Sequence, residues 1–191
     1  MTVSGGSNSG EHVRDIFPPL PVVTVNGSMK ITDTFEFLLG SWRIERTLKD
    51  HRSGTRGTFN GMASVADQRP CSSFSLLVGA HYEEIGELHW GTHQSSAHRS
   101  LRFIRRDDGT LAVHFSDGRP FIDLDLRAGA WRSNHVCGDD HYEFTTRVMS
   151  PNVVEERWRV RGPTKDYDAT ATLTRYLRGE SRPREMVRRH K

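Results

Sequence analysis

The sequence predicts an all-β protein: an antiparallel barrel of about nine or ten strands behind one short N-terminal helix, with a two-sheet sandwich as the alternative. Three observations lead there. From Ser41 to Leu177, short runs of alternating character recur, separated by turn residues such as Asp107-Asp108-Gly109 and Asp117-Gly118-Arg119-Pro120. No helical period interrupts these runs, so antiparallel neighbours are the expected connection. One short segment with an apolar side, Asp33 to Leu39, comes before the first strand.

The helix has a start, a face and a stop. Asp33 with Glu36 three residues on has the capping-box pattern, and Gly40 can end the helix. Phe35, Leu38 and Leu39 form the apolar side. About two turns cannot stand alone, so the helix must lie against the strands. The first strand reads Ser41 to Asp50, with Trp42, Ile44, Arg46 and Leu48 on one face. The next is Arg56 to Asp67, where Gly61 suggests a bulge. Phe74–Glu84, Glu87–Trp90, Ala97–Arg106, Leu111–Phe115 and a run from Phe121 to Leu126 follow. His135–Met149, Val153–Arg161 and Asp166–Leu177 complete the series.

Gly40-Ser41-Trp42 favours the barrel. In lipocalin-like barrels a G-x-W at this place packs its indole across the closed end, under an arginine from the last strand. Arg175, beside Tyr176, is the candidate partner, for a cation–π contact of roughly 0.5–2 kcal/mol. Trp42 serves equally as a core aromatic.

The 191 residues fit one domain able to bury a core without staples. Residues 1–30, Ser/Gly-rich and then Phe17-Pro18-Pro19-Leu20-Pro21, read as a flexible arm. Residues 31–178 are the barrel domain and 179–191 a basic tail. That tail reads as a solvated end rather than a nucleic-acid contact, given a net charge of only +3. No apolar stretch is long enough to span a membrane. Cys71 and Cys137 lack metal-site spacing, which excludes a zinc ribbon. The absence of a leader-like segment points to a reducing cytoplasm rather than a disulfide between them.

Several segments together carry a family resemblance. They are residues 37–46 (FLLGSWRIER), 82–86 (YEEIG), 115–121 (FSDGRPF), 135–142 (HVCGDDHY) and 158–167 (WRVRGPTKDY). The set resembles the DUF6314 family of uncharacterised proteins over about residues 35–178. The resemblance implies a calycin-like barrel and brings no established activity. The family pattern continues Pro-Phe-His after the DGR turn, and this chain has Ile122 where that histidine is expected.

A barrel of this size holds one small ligand. Asn134 to Tyr142 concentrates chemistry, and His135 is the first candidate for a general acid or base, with Asp140 to orient it and Tyr142 as a donor. His135 and Asp140 could equally hydrogen-bond one another to shape a turn. Cys137 is a candidate nucleophile or ligand contact, against the alternative of a buried inert thiol. Lys165 in Gly162-Pro163-Thr164-Lys165-Asp166-Tyr167 would bind an anionic group or, if desolvated, act as a base; Tyr167 would donate inward. Arg119 would grip a carboxylate, from a ligand or from Asp139. Arg46 and Glu84 are a candidate buried pair lining a polar pocket. The alternation places His141, Glu143, Thr145 and Arg147 on one face and Tyr142, Phe144, Thr146 and Val148 on the other, without saying which faces inward.

The expectation is therefore a cofactor-independent acid/base enzyme on a small organic metabolite: an isomerase, cyclase, dehydratase or lyase, in specialised metabolism. The alternative is a non-catalytic carrier or sensor for a lipophilic ligand or haem, with His98, His114 or His141 as proximal ligand. No metal site is expected, and a homodimer is compatible with the reading.

Overall fold

The computed structural model describes residue 29, residues 31–68 and residues 79–177. Apart from Met29, the expected arm lies outside the described residues, as do the basic tail and Cys71. Among the described residues, one helix, α1 (Thr34–Leu38), precedes ten strands: β1 (Gly40–Asp50), β2 (Arg56–Gln68), β3 (Gly79–Trp90), β4 (His93–Arg105), β5 (Leu111–Phe115), β6 (Pro120–Leu124), β7 (Ala130–Cys137), β8 (Asp140–Ser150), β9 (Val153–Arg161) and β10 (Asp166–Arg175). They form a single antiparallel sheet in the order β6-β5-β4-β3-β2-β1-β10-β9-β8-β7. This is a meander whose first strand pairs with its last, a nearly closed barrel rather than a sandwich.

The remaining seam, between β6 and β7, is closed by side chains. The Trp131 indole donates to the Asp123 carbonyl at 2.8 Å. Phe121 on β6 packs edge-on against His135 and Phe144, with ring centroids 5.2 and 5.1 Å apart.

One end is plugged. Asp33 caps α1 by accepting the Glu36 N–H at 3.0 Å. Thr34 is fully buried, and its hydroxyl accepts the Leu126 N–H at 2.9 Å. Trp42 lies beneath the helix at 1% exposure, and its indole donates to the Leu38 carbonyl at 2.9 Å. The Arg175 guanidinium sits 4.1 Å from the Trp42 ring and donates to the carbonyls of Leu39 and Phe37. The arginine thus satisfies carbonyls that the short helix leaves open. Gly40, at φ +116°, turns the chain from helix into strand. Ile122, at the departure from the family pattern, faces Val113 and packs against the core.

Several strand expectations are corrected. β3 is one continuous strand, not two pieces divided near Gly86. Gly61 makes no bulge; it sits in register opposite Gly86. A Cβ on either would meet the Phe59 ring, at 2.7 or 2.6 Å, so the paired glycines let that ring lie flat on the wall. Register shifts occur instead between Val113 and His114 and between Val148 and Ser150. The run from His135 to Met149 is two strands, because Gly138 takes φ +60° and reverses the chain between Cys137 and Asp140.

Candidate functional site

Register decides what faces inward. On β1, Trp42, Ile44 and Arg46 are buried; opposite them on β10 stand Arg175, Leu173 and Ala171. Carried across β9 and β8, the same parity turns Glu156, Trp158, Phe144, Tyr142 and Thr146 into the lumen. The choice left open by alternation is thereby made: the Tyr142 face is inside and the His141 face outside.

Midway along the lumen is a belt of charge. Arg46 donates to both oxygens of Glu84, at 2.6 and 3.0 Å, and both side chains are buried. This is the candidate buried pair named from the sequence. Arg99, directly opposite Glu84 in the β3–β4 ladder, donates to Glu84 Oε2 at 2.7 Å. The Tyr82 hydroxyl donates to the same oxygen at 2.7 Å. Both guanidiniums lie against the Trp158 ring, at 4.7 and 4.6 Å.

Burial pushes the Glu84 carboxyl up, but the guanidiniums of Arg99 and Arg46 outweigh it and hold it down at about 2. Burial raises the Tyr82 hydroxyl, which therefore stays a donor. Glu156, reached from Arg46 across the small Ala171, is raised by burial despite the nearby guanidiniums. Glu156 and Arg99 keep some accessible surface although the register turns both inward.

Toward the open end the lining becomes aromatic and then polar. His135 faces Phe115, Phe121 and Tyr142, at centroid distances of 5.6, 5.2 and 5.9 Å. Lys165, on the β9–β10 turn, donates to Asp140 Oδ2 at 2.6 Å and to the Tyr142 hydroxyl at 2.8 Å. These two bonds raise the Lys165 ammonium above its ordinary range, so it is a fixed cation and not a desolvated base. Gly162 permits the arrangement, since a Cβ there would lie 1.8 Å from Asp140 Oδ1. Tyr167 pairs with Val160, which also pairs with Tyr142, and burial raises its hydroxyl.

The site expected from the sequence is thus partly gathered and partly dispersed. Tyr142, Lys165, Asp140 and His135 converge at the mouth, but the Asp140 carboxylate orients Lys165 and makes no hydrogen bond to His135. Cys137 is exposed, so it is no buried thiol. Arg119 does not reach Asp139; it pairs with Asp117 in its own turn at 2.8 Å and is 71% exposed. The histidines considered for haem do not enter the lumen: His98 and His141 are exposed, and His114 is 3.1 Å from the Gly118 carbonyl through Nδ1. Among the described residues, no group of side chains forms a metal site. Arg99, Glu156, Trp158 and Tyr82 are not among the site residues expected from the sequence, although Tyr82 and Trp158 open two of the segments that carry the family resemblance. Once Glu84 is placed inside, pairing to Arg99 is the signal that finds the first of them.

A short helix plugging one end of a ten-stranded antiparallel meander, under a tryptophan–arginine closure, defines a calycin-like barrel with a polar lumen. The chain belongs to DUF6314, a family of unknown function, whose model matches residues 38–176. Among solved structures it is similar to the S-type phycobiliprotein lyase CPES from Guillardia theta, at 14% identity and TM-score 0.61, over 78% of this chain and 94% of that one. That likeness supports the fold. A redesigned β-barrel, mFAP0, bound to DFHBI is also similar, at 14% identity and TM-score 0.38 over 73% of this chain and 99% of that one. No curated protein matches the chain. No helix among the described residues is long and apolar enough to cross a membrane.

Proposed function

We propose that the protein binds one small organic molecule in the barrel lumen. The carrying observation is the Arg46–Glu84–Arg99 belt: a charged, hydrogen-bonded floor inside a barrel, with part of the inward-facing Arg99 side chain still accessible. A lumen kept only for stability would be filled with apolar side chains, because burying ions costs more than burying hydrocarbon of similar volume. The lyase likeness is compatible with this reading at the level of fold. The test is uptake of the neutral dye N-phenyl-1-naphthylamine, followed by its fluorescence. Wild-type protein should bind it, and Ala97→Phe, which fills space opposite Gly86, should abolish binding with an unchanged circular dichroism spectrum. Binding that survives the filled lumen would refute the proposal.

A second reading, acid/base chemistry on the bound molecule, is favoured by Glu156. Its carboxyl is pushed toward the protonated form inside the lumen, as a general acid requires. His135 lacks a carboxylate partner and fits that role less well. On an identified substrate, Glu156→Gln should lose turnover while keeping affinity; unchanged turnover would leave binding alone.

A further inference from the structure

The structure assigns a ligand class to the lumen: we propose an organic anion, with its carboxylate or sulfonate at the free edge of Arg99 and its aromatic or apolar body lying over Trp158 toward His135 and Tyr142. This rests on the reading that the lumen encloses a small molecule.

Charge pairing inside the barrel is incomplete. Lys165 is matched by Asp140 at the mouth. Arg46 is matched by Glu84, which takes both of its terminal nitrogens. Arg99 must share that same carboxylate, through Nη2 alone, which also reaches the Tyr82 hydroxyl at 3.3 Å. The Nε atoms of Arg99 and Arg46 are both without an acceptor. Arg99 keeps 27% of its side chain accessible, although it faces inward opposite Glu84.

The other carboxylate in reach, Glu156, makes no hydrogen bond to either guanidinium, and burial favours its neutral form. Among the described residues, Arg99 therefore has no hydrogen-bonded carboxylate of its own, and part of its side chain is accessible. A guanidinium offers a planar fork suited to carboxylate and sulfonate oxygens. Trp158, which carries both guanidiniums, begins a run of aromatic rings through Phe144 to Tyr142 and His135 next to that fork. A neutral lipophile would satisfy none of these donors, and a cation would be repelled.

Two dyes with the same aromatic body separate the ideas: anionic 8-anilinonaphthalene-1-sulfonate and neutral N-phenyl-1-naphthylamine. Both are titrated into the full chain, its Arg99→Met and Arg99→Lys variants, and Trp158→Phe. Arg99→Met should weaken the sulfonate by about tenfold or more, about 1.4 kcal/mol, and change the neutral dye by less than about twofold. Arg99→Lys, which keeps the charge and loses the fork, should fall between, and it carries the comparison if the methionine variant does not fold. Energy transfer from tryptophan to either dye should drop in Trp158→Phe. Equal weakening of both dyes, an unaffected sulfonate, or transfer indifferent to Trp158 would overturn the assignment. Binding of the neutral dye alone would overturn the anion and leave the lumen reading standing; binding of neither would remove both.

Discussion

Glu84→Ala is expected to destabilise the protein by about 3–5 kcal/mol, because it strands buried guanidiniums without their counter-charge. Glu84 accepts from Arg46, Arg99 and Tyr82 at once, so its loss orphans three donors. Urea unfolding measures the effect, and a loss under about 1 kcal/mol would show that the belt does not hold the barrel together. Replacing all three charges with methionine should recover much of the loss, since a filled apolar layer needs no pairing. The effect has a pH signature. Glu84 titrates at about 2 in the folded protein against an ordinary value of 4.5, so the folded state holds fewer protons between those two values. The stabilisation is complete above the ordinary value and fades as pH falls toward 2. The gap between wild type and Glu84→Ala should narrow over the same interval.

Trp42→Ala should cost a similar amount, about 3–5 kcal/mol. The indole is almost wholly buried, carries the Arg175 guanidinium on its face and holds the last turn of α1 through the Leu38 carbonyl. Removing it leaves a cavity at the closed end and frees a helix too short to persist alone. Trp42→Phe keeps a ring and loses the donor, so its unfolding midpoint should lie between the two. Wild-type stability in Trp42→Ala would mean that the plug is held by α1 packing alone.

The closed end was legible because its signals are local or lie at the chain's extremes. Asp33, Glu36, Gly40 and Trp42 lie within ten residues of one another, and Arg175 is the arginine of the last strand. The lumen was less legible, because its residues meet through register. Arg99 looks like one arginine among several on a polar strand until pairing sets it opposite Glu84. At the mouth, the nearness of His135 and Asp140 in sequence was misleading. Gly138 reverses the chain between them, and the partner of Asp140 comes from the β9–β10 turn. Cys137 failed as a buried thiol for the same reason: it ends a strand at that exposed reversal.

The seam between β6 and β7 gives this wall a preferred line of parting. Every other neighbouring pair is held by a ladder of backbone hydrogen bonds, whereas this one is held by an indole on a carbonyl and a few edge-on rings. Separating it breaks the fewest bonds of any opening around the circumference, and the rings that come apart there belong to the same aromatic group that lines the mouth. The barrel resembles a staved cask with one stave pegged rather than glued: its widest passage to the interior need not be its rim.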